Sequence, residues 1–258
     1  MLQIIKIEWL KVKTYRTFWI LLILAAAIIP ASNLVVHDIS TKLKQAETLL
    51  GGSAYDFPFI WQSVANVSSY TSAIFALLLL TLVTNEFTFK THRQNVIDGW
   101  DRKQFVYAKL FWVVALSLVA LLVSVLTVLY FGLVYSEKSF SFEGAEYLFY
   151  YFLQVLLSLS LALLLGVLVK RAGLSIVLYL GYVMIFEQLL VVTLKKYWGM
   201  PGGLLPLQTA DELMPFPMIG KMLPGPGEYD NSIYLVALFC YLAVAIWLVF
   251  RRLLKADI

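Results

Sequence analysis

Residues 85–110 read NEFTFKTHRQNVIDGWDRKQFVYAKL, a polar, basic island between two long apolar runs. It holds five of the 20 Lys and Arg: Lys90, Arg93, Arg102, Lys103 and Lys109. Two helix-start signatures follow one another. Thr91 with Gln94 spells a capping box, in which the hydroxyl accepts an orphan backbone N–H while the Gln reaches back to the cap's own N–H. Gly99 suits the left-handed residue that ends a short helix, and Asp101 with Gln104 repeats the start signal ahead of the next apolar run. The pattern predicts a two-turn helix over 91–98, a sharp turn, and then a long helix entering lipid. A short helix that is polar on most sides suits a membrane surface, where it meets another protein.

The flanking runs decide the class. Of 258 residues 61% are hydrophobic and 14% charged, with mean hydropathy +0.82, whereas soluble domains carry about a quarter charged residues. Apolar runs of about 18 or more residues cross a bilayer. Six are present, at about 18–36, 58–84, 110–135, 147–169, 174–194 and 233–250, so the expected fold is an all-α membrane protein forming one transmembrane domain over 1–258. Pro30 is expected to kink the first span in its outer third, and a short helix fits around 39–50. Lys170-Arg171-Ala172-Gly173 leaves room only for a tight turn, which makes spans four and five antiparallel neighbours. Residues 1–16 are imperfectly amphipathic, with Leu2, Ile5, Trp9 and Val12 on one face and Ile4, Ile7 and Leu10 on others. Lys6, Lys11, Lys13 and Arg16 suit anionic headgroups, which favours an interfacial helix. A cleaved signal peptide is the rival reading, and the long leading region with Glu8 and Trp9 argues against it.

Charge fixes the expected orientation. Fourteen Lys and Arg fall in residues 1–16, the island, the 170–171 turn and the C-terminal tail; only Lys42, Lys44, Lys138, Lys195, Lys196 and Lys221 fall on the other side. Both termini are therefore expected in the cytoplasm. The basic balance follows that rule and calls for no nucleic-acid partner. Aromatic residues near span ends, among them Trp19, Trp61, Trp112, Tyr151, Tyr234 and Trp247, read as headgroup belts. The external stretch 195–232 holds six of the eight prolines yet is rich in Leu and Met. It predicts a re-entrant hairpin with a short helix within 204–214 and Thr209 near its cap, tolerable at depth only where protein or water satisfies the backbone.

Ionisable and polar groups at membrane depth are the functional candidates. Glu187, followed by Gln188, lies in the outer half of span five. It either lines a cavity or pairs with Asn33, Asn66 or Gln154 to lock the bundle. Glu86 closes span two beside Lys90 and Arg93. His37 and His92 fall on opposite sides, so no His-based metal site forms within one chain. HExxH and GxSxG are absent, and Gly220-Lys221 lacks the preceding glycine of a phosphate-binding loop. A chain without a nucleotide site needs a partner or an ion gradient for uphill transport.

Glu86-Phe87, Thr91, Arg93, Gly99, Arg102 and Lys109 together resemble the loop after the second span in ABC-2 type permeases, the membrane subunits of one class of ABC transporter. The six-span layout agrees, so the resemblance covers essentially the whole chain. Where that family places an apolar residue followed by Ser or Pro before the Arg, this chain has Trp100-Asp101. The resemblance implies that 91–98 is a coupling helix docking on a separate ATPase, with Glu86, Thr91, His92, Arg93, Gln94, Asp98, Gly99 and Arg102 as the coupling set. ATP and Mg would then be held by the ATPase, and no cofactor by this chain. It also implies a second permease subunit, identical or different, a re-entrant roof over 195–232, and export across a bacterial inner membrane. The apolar interior suits hydrophobic or amphipathic cargo, with Glu187, Gln188, Asn66, Asn33 and Gln154 as path candidates. A secondary transporter or channel would show internal repeats or recurrent intramembrane charges, and spans one to three show neither against four to six. An intramembrane enzyme or a non-transporting scaffold is the remaining class.

Overall fold

The computed structural model describes residues 2–42, 52–89, 91, 101–217 and 229–255. Regular structure among them is helical. In chain order it comprises α1 (Leu2–Lys13), α2 (Arg16–Lys42), α3 (Phe59–Thr88), α4 (Arg102–Val134), α5 (Glu146–Val169), α6 (Ala172–Trp198), a 3₁₀ turn at Met200–Leu204, α7 (Gln208–Leu213) and α8 (Asn231–Lys255). Among the described residues six helices, α2 to α6 and α8, are long and apolar enough to cross a membrane.

The helices outrun the hydropathy windows because caps and turns, not hydropathy, end a helix. α4 starts at Arg102, where the backbone N–H of Asp101 donates to Gln104 Oε1 at 3.1 Å in a capping box. α5 ends with Lys170 left-handed (φ 57°), and α6 follows from Ala172, the tight turn that brings the two together. α2 runs through Pro30 to Lys42, so the start of the separate helix expected near 39–50 belongs to the first span; residues 43–50 lie outside the described ones.

α3 and α5 form the centre of the bundle. In each, 61% of the most apolar window is buried, against 17% in α2 and in α6. Lipid tails are as apolar as leucine, so close packing and polar bonds, rather than water exclusion, hold such helices together. Gly166 of α5 shows how close the approach is: a Cβ there would lie 3.3 Å from Leu80 and Val83 of α3. Five hydroxyls along the helices are satisfied locally: Thr81, Thr84, Ser117, Thr127 and Ser160 each donate to the carbonyl four residues back.

One expectation is sharpened and one is corrected. α1 buries Ile4, Glu8 and Val12 and exposes Trp9, so the stripe it turns to the bundle is Ile4-Glu8-Val12. The reason is electrostatic, because Glu8 is drawn onto Lys109 and Trp112 of α4. The aromatic belt also shrinks, since Trp61, Trp112, Tyr151 and Tyr234 are buried within the bundle. Trp61 donates to the Ser141 carbonyl at 2.8 Å and Trp112 to Glu8 at 2.9 Å; a bonded indole in the interior is no headgroup anchor.

After α6 the chain reverses at Gly199 (φ 74°) and folds back so tightly that a Cβ on Gly202 would lie 2.6 Å from the Lys195 backbone nitrogen. The 3₁₀ turn and α7 then return against α5, α6 and α8. Tyr241 of α8 donates to the Leu204 carbonyl at 2.7 Å, and Asn66 of α3 donates to the Met214 carbonyl at 2.9 Å. The irregular backbone is thus held by protein groups at both ends.

Candidate functional site

Polar side chains gather at two ends of the bundle. The first group sits where α3 ends and α4 begins. Glu86, in the last turn of α3, pairs with Lys109 at 2.7 Å, and Lys109 pairs with Glu8 of α1 at 3.1 Å. Lys11 adds contacts of 2.7 Å to Glu8 and 3.1 Å to Glu86, closing a ring of two acids and two bases. Glu8 and Lys109 keep only 2% and 3% of their side-chain surface. Charges so deeply placed are tolerable because each is paired and hydrogen-bonded. Burial disfavours the charged form of Glu8, yet Lys109 and Lys11, through charge and hydrogen bonds, outweigh it and hold its carboxyl below the ordinary value. The ring ties together the two helices that bracket residues 89–101, with α1 as the third member.

Of the residues expected to couple to an ATPase, Glu86 is in this ring. Thr91 Oγ1 reaches the Glu86 carbonyl at 3.5 Å. Arg102 Nη1 donates to the Leu254 carbonyl at 2.8 Å, linking the start of α4 to the end of α8. His92, Arg93, Gln94, Asp98 and Gly99, and with them the helix expected over 91–98, lie outside the described residues, as does Lys90.

The second group lies at the other end of α3, about 25 Å away along the helix at ~1.5 Å per residue. Glu187 is 1% exposed. Its Oε1 accepts the Leu207 N–H at 2.6 Å and the Gln208 N–H at 3.2 Å, so an acid from α6 caps the start of α7. The expected cap at Thr209 is replaced, since its hydroxyl donates instead to the Pro206 carbonyl at 2.7 Å. Glu187 follows directly on a π-helical stretch, Tyr182–Phe186, an irregularity found mostly as a single widened turn and frequent at functional sites. One turn into α7, Asp211 Oδ1 accepts from Gln154 Nε2 at 2.7 Å and lies 3.5 Å from Ser69 Oγ. Burial pushes the Asp211 pKa up to about 7, with Glu187 and Glu212 adding to the push and the Gln154 and Ser69 bonds opposing it. Glu212, its neighbour, is engaged by Lys195 and by Gln208.

Beside Asp211 lies a cavity of about 280 Å³ lined by residues of α3, α5, α6 and α7. Of the residues expected along a path, Gln154 and Gln188 line it. Asn66 is one turn away, held by the Met214 carbonyl. Asn33 is elsewhere: it donates to the Ile29 carbonyl at 2.9 Å and accepts from Tyr55 at 3.2 Å, tying α2 to the loop before α3.

The sequence reading gives Lys109 a place in the loop pattern and Lys11 one near headgroups but pairs neither with an acid, and it gives Glu8 and Asp211 no site role. A signal was present for Lys109: Phe105, Lys109, Trp112 and Leu116 recur at helical spacing, and all four are buried. Ile4, Glu8 and Val12 repeat it in α1. Asp211 had none, because proline and glycine on both sides of α7 obscure any period.

Comparison with curated proteins finds no match. The family model described as ABC-2 family transporter protein matches residues 4–194, from the start of α1 through most of α6 and so across both polar groups except α7. With six helices apolar enough to cross a membrane, the chain is a multi-pass membrane protein of ABC-permease type and belongs to the ABC-2 transporter family.

Proposed function

We propose that this chain is the permease subunit of an ABC exporter, driven by a separate ATPase that docks on residues 85–110 from the cytoplasmic side. The observation that carries this reading is the Glu8–Lys109–Glu86–Lys11 ring, with Lys109 at 2.7 Å from Glu86 and 3.1 Å from Glu8. It fastens the end of α3 to the start of α4, on either side of the proposed docking loop. A push on that loop then moves both helices and α1 together instead of being lost in bending at their ends. Interiors so packed transmit strain because they have discrete arrangements and little compressibility.

In this reading both termini are cytoplasmic, α1 lies along the inner surface with Trp9 and Leu10 toward lipid, and 91–98 forms the coupling helix. The segment 199–217 dips into the outer leaflet, roofing a path shared with a second permease subunit. The cavity lined by Gln154, Gln188 and Asp211 belongs to that path, and Glu187 sets the position of its roof. ATP and Mg are bound by the ATPase, the cargo is amphipathic, and the setting is a bacterial inner membrane.

The test is an uncoupling experiment. Arg93→Glu and Gly99→Val should each leave membrane insertion intact while ATPase activity no longer depends on this subunit and transport is lost. Normal transport by both variants would remove the docking role of the loop.

A further inference from the structure

We propose that the cavity beneath α7 is a recognition site for a primary ammonium group carried on an apolar body, with Asp211 as its counter-ion. The inference deepens the translocation reading and rests on it for its biological meaning, though not for its test.

The cavity, of about 280 Å³, joins two kinds of wall. Ala73, Val183 and Met184 give it an apolar side, and Ser69, Gln154, Gln188 and Asp211 a polar one. Small-molecule sites are built this way, mostly apolar with a few convergent polar groups. The polar side holds a carboxylate beside an amide oxygen that is left without a donor. Gln154 spends its Nε2 on Asp211, and its Oε1, in a residue only 5% exposed, has no hydrogen-bond partner. An unpaired buried acceptor costs free energy that a ligand with N–H groups recovers. Among the described residues Asp211 meets no base: its bonds come from an amide and, at 3.5 Å, from a hydroxyl, while Lys195, which reaches α7, is taken by Glu212. An ammonium offers three N–H donors and the missing charge. A carboxylate, phosphate or sulfate headgroup would meet acceptors and like charge, and a neutral amide would leave Asp211 unneutralised. Glu187 differs in that its Oε1 accepts the backbone N–H groups of Leu207 and Gln208 and so caps α7.

Among the described residues the ionisable groups facing Asp211 are Glu212 on its own helix, Glu187 from α6 and Tyr70 from α3. None supplies positive charge. With the Asp211 pKa pushed up to about 7 by burial, ammonium binding strengthens as pH rises through 7 and the carboxyl ionises, while an alkylamine stays protonated until about pH 10.

The experiment measures equilibrium binding of radiolabelled octylamine to the full chain in lipid nanodiscs, corrected with empty discs. N-octylacetamide is the neutral comparison. Saturable octylamine binding is expected, at least tenfold tighter at pH 8 than at pH 5.5 and at least tenfold tighter than that of N-octylacetamide. Asp211→Asn should weaken it tenfold or more, and Ala73→Phe, which fills the apolar wall while keeping the acid, should abolish it. Equal affinity for the neutral analogue, or undiminished binding by Asp211→Asn, overturns the proposal. Should Asp211→Asn fail to insert, the analogue comparison on the unaltered chain and Ala73→Phe decide alone. None of these measurements uses an ATPase, so an uncoupling experiment can fail while this one succeeds, and the reverse.

Discussion

The two polar groups at opposite ends of α3 hold their charges by opposite means. At the α1 end two carboxylates face two ammonium groups, and each base touches both acids. At the α7 end, among the described residues, three acids, Glu187, Asp211 and Glu212, face one base, Lys195, and the other bonds come from backbone N–H groups and an amide. The first arrangement is neutral, with every acid facing both bases, which suits a joint that transmits motion. The second is anionic and incomplete, which suits a place where something arrives. Buried charge alone therefore does not identify a site. What separates joint from site is whether the chain supplies its own counter-charge.

The largest test of that contrast is Lys109→Met. Removing one base leaves two buried acids with Lys11 alone, and breaking a buried pair costs about 3–5 kcal/mol. The expected readout is loss of hydrogen-exchange protection over Ile4–Val12 and a lower melting temperature. The double variant Lys109→Met with Glu8→Gln should recover much of the loss, because neutral replacements of a buried pair are often tolerated. If the single variant keeps α1 protected, the ring is not a joint and the comparison fails at that end.

Particular residues show how much of this was legible beforehand. The six spans were, because lipid demands long apolar helices and the sequence carries six such windows. The start of α4 was legible too, since Asp101 and Gln104 are a local signal for a local structure. Which face of α1 turns inward was not, because its apolar residues are spread over several faces and the partner of Glu8 decides. The pairing of Lys109 was not legible either: counting Lys and Arg by loop orients a protein but does not ask what each ammonium touches. Glu187 stands out in the sequence as an acid within an apolar run and is buried, yet its partners, the N–H groups of Leu207 and Gln208, belong to backbone that no side-chain pattern reports.

Next in size is the cap on α7. Glu187→Leu orphans two backbone N–H groups, at a cost of about 1–3 kcal/mol. Glu187→Gln keeps an acceptor and should lose less than half of that. Faster hydrogen exchange over residues 205–213, greater for Leu than for Gln, is the expected result. Equal exchange in both variants would mean that charge, not capping, is what Glu187 contributes, and would move it into the same class as Asp211.

Acid should separate the two ends by sign. The Glu8 carboxyl is held below its ordinary value of 4.5, so its contribution is present above that pH and is lost as pH falls further. Asp211 is raised from 3.8 to about 7, so the folded state binds the extra proton between those values; stability at the α7 end falls as pH rises toward 7 and then levels off. Exchange protection of α1 should thus be flat from pH 7 to pH 5 and drop below about pH 4.5, while that of α7 should increase from pH 7.5 to pH 5. Parallel profiles at both ends would erase the distinction.

The smallest effect is expected at Lys195, the one base at the anionic end among the described residues. It is a third exposed and pairs with Glu212 at the edge of the bundle. Pairs so open to solvent contribute about 0.2–1 kcal/mol, so Lys195→Met should shift the melting temperature little. Its value lies in charge rather than stability. With Lys195 gone, Glu212 joins Asp211 as an unpaired acid, and octylamine should bind somewhat more tightly, by about two- to threefold, with no change in pH midpoint beyond a small rise. Weaker binding in Lys195→Met would show that this ammonium positions α7 over the cavity. In that case the α7 end would itself contain a joint of the kind found at α1, and the division of labour between the two ends of α3 would no longer hold.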